Sequence, residues 1–583
     1  MESGGEFSGT TRTVQTGSAR AANASRALIR TAGDARTTTE PSETSPKTMK
    51  SSFIELELFR NLFVSIAEEM GVVLRKTAYS ANIKERRDYS CAVYDAAGET
   101  VAMGDHMPVH LGAMPLSVRH AIDALEIGPG DVAIVNDPFR GGTHLPDITA
   151  VSGVFLHGQR ADFYVANRAH HADVGGMSPG SMPLAREIFQ EGIRIPPVLL
   201  ARKGVVDRGL MDVVLANVRT PEEREGDLLA QMMANRRGEE RLREIVKKYG
   251  RPTVGRNMAN LQQYSERMMR AAIARLPEGV YRFEDYLDSD GITARPVKIQ
   301  VAITIHGERA EVDFASTDAQ VEGPVNANYA VALSATMYAF RCLVAEDVPY
   351  TAGLLRPIRV IAPERSVVNA GPPAAMAAGN VETSQRITDV VLGALAQAAP
   401  ERIPAASSGT MNNLSLGGWD ARRNRPFAYY ETIAGGMGAS AAAPGESAIH
   451  THMTNSWNTP IEAFERQYPL RVRRYEVRRG SGGEGKNCGG DGIVREMEFL
   501  APCDVTILSD RRKRGPYGLA GGGAGRAGRN LLLRGKKRLP IGAKENFQVR
   551  AADVLRIETP GGGGWGGIAK AKGKRQRAKR ESA

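Results

Sequence analysis

Histidines and aspartates that could hold a divalent cation or move a proton are concentrated in one part of this 583-residue chain. His106, His110, His120, His144, His170 and His171 all lie between residues 104 and 183, together with Asp105, Asp137, Asp147 and Asp173. His144 and Asp147 stand three apart in the run NDPFRGGTHLPD at residues 136–147, with Pro146 between them. That spacing can turn an imidazole and a carboxylate toward one point, and Mn²⁺, Zn²⁺ and Fe²⁺ accept both ligand types. A third ligand from His170 or His171 would leave positions open for water or substrate. A cation so held polarises a carbonyl or generates hydroxide. The same His-x-x-Asp pair serves equally well as hydrogen-bonded core polar residues. A His-His pair on an extended strand sends one ring to each face. Asp88 and Asp95 flank the strand at 89–94, where either could act as a general base or simply close a turn, and Asp137 could serve as base beside the His/Asp cluster.

The elements that must position these residues follow from periodicity. Ile54, Leu56, Leu58, Leu62, Ile66, Met70 and Val73 recur at helical spacing. A strand is expected at 89–94, and a helix over 116–127 that stops at Gly128-Pro129-Gly130. A short apolar strand over 131–135 runs into the NDPFRGG loop, where Gly141 and Gly142 allow close backbone approach. Paired strands are expected at 151–156 and 161–166, long charged helices at 222–249 and 262–276, and a strand pair at 297–306 and 309–314. A helix over 388–398 and Gly-rich strands beyond about residue 470 complete the pattern. Helices and strands mix without βαβ alternation and without an internal repeat, so the expected class is α+β or mixed α/β, in two to four lobes. Residues 1–48 are poor in large apolar side chains and read as a disordered extension with Met49 near the true start. The body runs over 49–567, with a metal and substrate region at about 84–183 and a Gly-rich β region at about 470–567. A basic disordered tail occupies 568–583.

Composition narrows the classes. Net charge is +11, but residues 570–583 supply +6 and residues 1–50 supply +2, which leaves +3 for the body. A nucleic-acid-binding body is therefore not indicated. No run approaches the ~18 apolar residues of a membrane span. Four widely spaced cysteines without a CxxC argue against a disulfide framework or a cysteine zinc site, and favour a cytoplasmic setting. The stretch GSGGEGK at 480–486 begins like a P-loop, but Asn487 replaces the required Ser or Thr and no helix is expected to follow. It reads as a structural loop, as does GGGGW at 561–565. No Gly-x-Ser-x-Gly elbow is present.

Several long stretches together resemble the hydantoinase B / 5-oxoprolinase family, which includes N-methylhydantoinase B-type subunits and relatives in acetone and acetophenone carboxylases. They are KERRDYSCAVYD at 84–95, NDPFRGGTHLPD at 136–147, AHHADVGGMSPGSM at 169–182, GNVETSQRITD at 379–389, GSGGEG at 480–485 and GGGGW at 561–565. The resemblance runs from about Phe53 to Gly567. It implies a catalytic subunit of an ATP-dependent complex that opens hydantoins, 5-oxoproline or other lactams. In that complex ATP and Mg²⁺ belong to a separate hydantoinase A-type subunit, so the chain would work in a hetero-oligomer. The resemblance also implies a divalent metal held by His144, Asp147 and His170, with His110 the next candidate. His170 is preferred to His171 because carboxylase-like members keep a histidine three residues before the aspartate that corresponds to Asp173. The alternatives are a subunit of an ATP-dependent ketone carboxylase, and a non-enzymatic scaffold for the ATP-binding subunit.

Overall fold

A computed structural model describes residues 46–568 apart from Asp105, Ala345 and Glu346, with the side chains of 46–52 left out. The expected extension over residues 1–45, the tail beyond 568 and Asp105 fall outside the described residues. The first helix begins at Pro46, within the stretch assigned to the extension.

The site rests on a seven-stranded antiparallel sheet of order β2-β1-β5-β4-β3-β6-β7. Its strands are β1 (Tyr89–Tyr94), β2 (Thr100–Met103), β3 (Val132–Val135), β4 (Asp147–Val154), β5 (Phe163–His170), β6 (Val198–Arg202) and β7 (Val205–Val206). Every residue of β1 and β4 is buried, because helices cover both faces. On one face Cys91, Val93 and Val165 pack under Phe59, Phe63 and Ile66 of helix α1 (Pro46–Thr77). On the other, Ala92, Tyr94, Val151 and Ala166 pack against Met114, Val118 and Ala121 of α2 (His110–Ala124). Period-2 alternation in the strands thus feeds two separate cores. Helices α3 (Pro221–Tyr249) and α4 (Arg251–Ile273) complete the α1 side.

Helix α2 starts six residues earlier than the periodicity suggests, because Pro115 lies inside it. Proline cannot donate to the carbonyl four residues back. That carbonyl, on Leu111, accepts instead from the Tyr350 hydroxyl. The extra turn places His110 at the helix start.

A second sheet, β11-β10-β9-β8, is built from β8 (Gly279–Leu287), β9 (Val297–His306), β10 (Arg309–Asp313) and β11 (Ile358–Ile361). It shares the largest core with α5 (Tyr329–Arg341) and α6 (Ser384–Ala398). A third sheet, β13-β12-β16-β19, joins β12 (Asn413–Asp420), β13 (Arg425–Glu431), β16 (Cys503–Leu508) and β19 (Lys544–Val549). A fourth, β14-β15-β20-β17-β18, joins β14 (Leu470–Arg478), β15 (Gly492–Phe499), β17 (Arg529–Arg534), β18 (Lys537–Ile541) and β20 (Val554–Glu558). The third and fourth sheets enclose one core between them. The expected mixed class is observed. The GSGGEGK loop joins β14 to β15, and no helix follows it. Its Ser481 and Gly482 amides donate to the Asp491 carboxylate at 2.7 and 2.8 Å. The chain's own anion thus takes the amides that a phosphate would need.

Candidate metal and substrate site

The hairpin formed by β4 and β5 creates the site. In its register Asp147, the first residue of β4, lies directly opposite His170, the last residue of β5. Both strands run several residues farther toward the site than their apolar runs suggest. The loop before β4 brings His144 to the same point. This loop is held tightly: Asn136 Nδ2 donates to the Leu145 carbonyl at 2.7 Å, and Asn328 Nδ2 donates to the carbonyls of Pro138 and Gly142. Gly141 has φ +83°, and a Cβ on Gly142 would sit 2.4 Å from the Asn136 oxygen, so this turn requires its glycine pair.

Ligand atoms of His144, Asp147 and His170 all lie within 4.8 Å of one another, and all three residues are buried. His144 Nε2 is 3.4 Å from Asp147 Oδ2, and the His144 and His170 rings meet edge to face at 4.9 Å. His144 Nε2, Asp147 Oδ1 and His170 Nε2 have no hydrogen-bond partner among the described residues. Buried polar atoms are normally satisfied. Three unsatisfied atoms converging from the residue types that bind Zn²⁺, Mn²⁺ or Fe²⁺ fit a divalent cation.

The opposite ring nitrogens are held as well, and that of His144 meets an acceptor, as a metal-ligating histidine requires. Asn82 Nδ2 lies 2.9 Å from His170 Nδ1, and the Tyr430 ring of β13 stacks on His170 at 4.5 Å with a 9° tilt. Arg86 pins Tyr430 through its carbonyl at 2.8 Å. His144 Nδ1 lies 3.3 Å from the Ala377 carbonyl. His110 stands beside the three, with Nε2 3.6 Å from Asp147 Oδ2 and Nδ1 2.8 Å from Ser90 Oγ.

Electrostatics suit the same role. Burial opposes ionisation of Asp147, yet His144 and His110 hold its carboxyl well below the usual carboxylate range. Burial, reinforced by His144, pushes His170 well below the usual histidine range, and burial also lowers His110. The cluster therefore offers an anionic oxygen, and burial favours the neutral forms of His110 and His170. Asp88 differs: burial raises its carboxyl to about 7 against the opposing pull of Arg86.

A narrow cavity of about 10 Å³, room for about one water, opens on this cluster. Asp88, His110, Asp147, His170, Asn380 and Tyr430 are among its lining residues. Met107 and Met411 also line it, and such side chains can yield to an incoming ligand.

The remaining sequence candidates have other surroundings. Asp137 caps a short 3₁₀ turn through the Phe139 amide and lies 3.8 Å from Arg194, outside the cavity lining. His171 faces away, with Nε2 3.0 Å from Gln231 Oε1. Asp173 anchors its own glycine loop through Arg219 and the amides of Gly175 and Gly180. His106 packs on Tyr89, and His120 is exposed. Spacing along the chain holds no hint of Tyr430, Asn82 or Asn380. Asn380 belongs to the 379–389 motif, which points to that stretch without assigning this side chain a role. It sits in a π-helical turn, Gly379–Thr383, of the kind often found at functional sites.

The family model described as hydantoinase B/oxoprolinase matches residues 52–568. 5-oxoprolinase 1 of Arabidopsis thaliana is 39% identical over 93% of this chain, which spans only 44% of that protein. The putative D-/L-hydantoinase subunit of a Pseudomonas strain is 32% identical, over 86% of this chain and 88% of the relative. The crystal structure of the ATP-dependent caprolactamase from Pseudomonas jessenii superposes with a TM-score of 0.82 at 27% identity, covering 90% of this chain and 92% of that one.

Proposed function

Because the chain belongs to the hydantoinase B/oxoprolinase family, we propose that it opens the ring of a cyclic amide such as 5-oxoproline, a hydantoin or a lactam. In this reading an ATP-binding A-type subunit activates the amide by phosphorylating its oxygen. The observation that carries the proposal is the convergence of three buried, unpartnered ligand atoms from His144, Asp147 and His170 on a cavity lined by a second carboxyl, Asp88. The names of the relatives support it, since 5-oxoprolinase, hydantoinase and caprolactamase each name a cyclic amide.

His144, Asp147 and His170 would hold the cation, with His110 beside them. When bound, the cation supplies Lewis acidity toward the amide oxygen. The chain's own groups do the rest. Tyr430, Val381 and Met411 wall the reacting ring off from bulk water. Asn82 and the Tyr430 stack hold the His170 ring at a fixed angle. Asp88 is the base: it accepts a proton from the attacking water as the new C–O bond forms and returns it to the ring nitrogen, which leaves as an amine when the ring C–N bond breaks; the acyl phosphate that remains is then hydrolysed by a second water to carboxylate and free phosphate.

The test is a purified complex with an A-type subunit, assayed for ATP-dependent opening of 5-oxoproline, hydantoin and ε-caprolactam. Ring opening coupled to ADP release is expected. His144→Ala should abolish turnover and metal content together. Full activity in that variant would remove the metal role. Bicarbonate fixation onto a ketone, with every ring left intact, would replace the proposal with carboxylation.

A further inference from the structure

Asn380 lines the cavity and carries an orphaned acceptor, and its surroundings define what it can bind. It is 3% exposed, and its Oδ1 has no hydrogen-bond partner among the described residues. Its Nδ2 lies 3.3 Å from Asp147 Oδ2. That contact fixes the amide's orientation, because the reverse placement would set a carbonyl against a carboxylate. The backbone around it is equally constrained. A Cβ on Gly379 would lie 1.8 Å from the Asn326 carbonyl oxygen, so the π-helical turn can approach residue 326 only through glycine. Ser384 Oγ donates to the Asn380 carbonyl at 2.6 Å. Thr383 Oγ1 donates to the Val325 carbonyl at 2.5 Å. A side chain held this firmly, with one buried acceptor unused, is prepared for a donor that arrives with a ligand.

The cavity therefore offers two complementary features side by side. The first is the cluster of His144, Asp147 and His170, suited to a cation that faces a carbonyl oxygen. The second is a neutral acceptor, one hydrogen bond away from that cluster, suited to an N–H. A small-ring amide is forced cis, so its carbonyl oxygen and its N–H share one edge. An open-chain secondary amide is trans and points them to opposite edges. We propose that Asn380 Oδ1 accepts the ring N–H, and that this contact makes Asn380 the residue that selects a cis, N-unsubstituted ring amide over N-alkylated rings and open-chain amides. The inference rests on the cyclic-amide reading above and names how that site recognises its substrate class. The contact also has a chemical use. Phosphorylation of the amide oxygen makes the nitrogen acidic, and an acceptor that keeps the proton shared with nitrogen leaves the carbon electrophilic toward water.

The test uses the full complex with 5-oxoproline, hydantoin and ε-caprolactam, each beside the derivative methylated on the nitrogen of the amide that is cleaved (N3 in hydantoin). The wild-type complex is expected to favour the N–H ring by about 10- to 100-fold in kcat/KM, the range for one buried hydrogen bond left unmade. Asn380→Ala should lose about that factor on the N–H ring relative to the N-methyl ring, so that the preference collapses toward unity. Because Asn380 Nδ2 also contacts Asp147, both rings are assayed at saturating metal, so that any change in metal affinity acts on both alike. A second readout needs no turnover: in the metal-stripped chain, calorimetry should show the same loss of preference between ε-caprolactam and N-methyl-ε-caprolactam. An unchanged preference in Asn380→Ala would overturn the inference while leaving the cyclic-amide function in place. A wild-type complex that opens none of the three rings would overturn both.

Discussion

Asp147→Asn tests the core of the site, since it keeps the side chain's size and one acceptor oxygen but removes the anionic ligand. Asp147 is 1% exposed, its Oδ1 is unpartnered, and Thr143 Oγ1 donates to its Oδ2 at 2.7 Å. Asparagine can keep the Thr143 contact, so the local fold should survive. A cation that binds only the folded chain stabilises it by RT ln(1 + [M]/Kd), about 4 kcal/mol when the free metal is 1,000 times Kd. Removing a residue behind a metal ligand weakens binding about 10- to 100-fold, and removing the charged ligand itself should reach at least the upper figure. At the same free metal the variant would then keep about 1.4 kcal/mol or less. The assay is a metal-stripped preparation titrated with Mn²⁺ or Zn²⁺, followed by calorimetry and by the midpoint of thermal unfolding. Wild type should gain a clear, saturable upward shift, and Asp147→Asn should lose about two-thirds of that stabilisation. Equal shifts in the two proteins would refute the assignment of Asp147 as a ligand.

The other predictions follow from neighbouring residues. Asp88→Asn should lower kcat by about 100-fold or more with metal content unchanged, whereas Asp137→Asn should stay within about threefold of wild type; the ADP-release assay compares them. Tyr430→Leu should weaken metal affinity about 10- to 100-fold by freeing the His170 ring, while Tyr430→Phe keeps the stack and the affinity; calorimetry separates the two. Burial lowers His452 to about 4, below its unfolded value, so its contribution to stability is intact above about pH 6.5 and is lost as pH falls toward 4. Between pH 7 and 5 wild type should therefore lose about 2 kcal/mol more stability than His452→Gln, as read from denaturant unfolding.

Much of this architecture can be read from local chemistry. Apolar recurrence marks the helix that became α1, although its buried stripe continues to Leu74. Alternation marks β1, and the His144–Asp147 spacing marks one corner of the site. Boundaries fail where a long-range partner intervenes. The early start of α2 depends on Tyr350, more than two hundred residues away, whose hydroxyl supplies the donor that Pro115 lacks. The ends of β4 and β5 nearest the site carry Asp, His and Arg rather than an apolar run. These extend the strands because ladder pairing and burial on both faces stabilise them.

By itself the sequence determined the candidate ligand types, the closeness of His144 to Asp147, the requirement for glycine in the turn before them, and the family to which the motifs point. Each of these depends on residues adjacent in the chain. Only the tertiary structure decided which histidine of the pair faces the cluster. Register does this by setting Asp147 opposite His170 and leaving His171 to Gln231. Only the tertiary structure brought Tyr430 and Asn380 to the same cavity, from a different sheet and from a π-helical turn. Spacing along the chain carries no information about such meetings, because they are fixed by how the separate cores pack against one another.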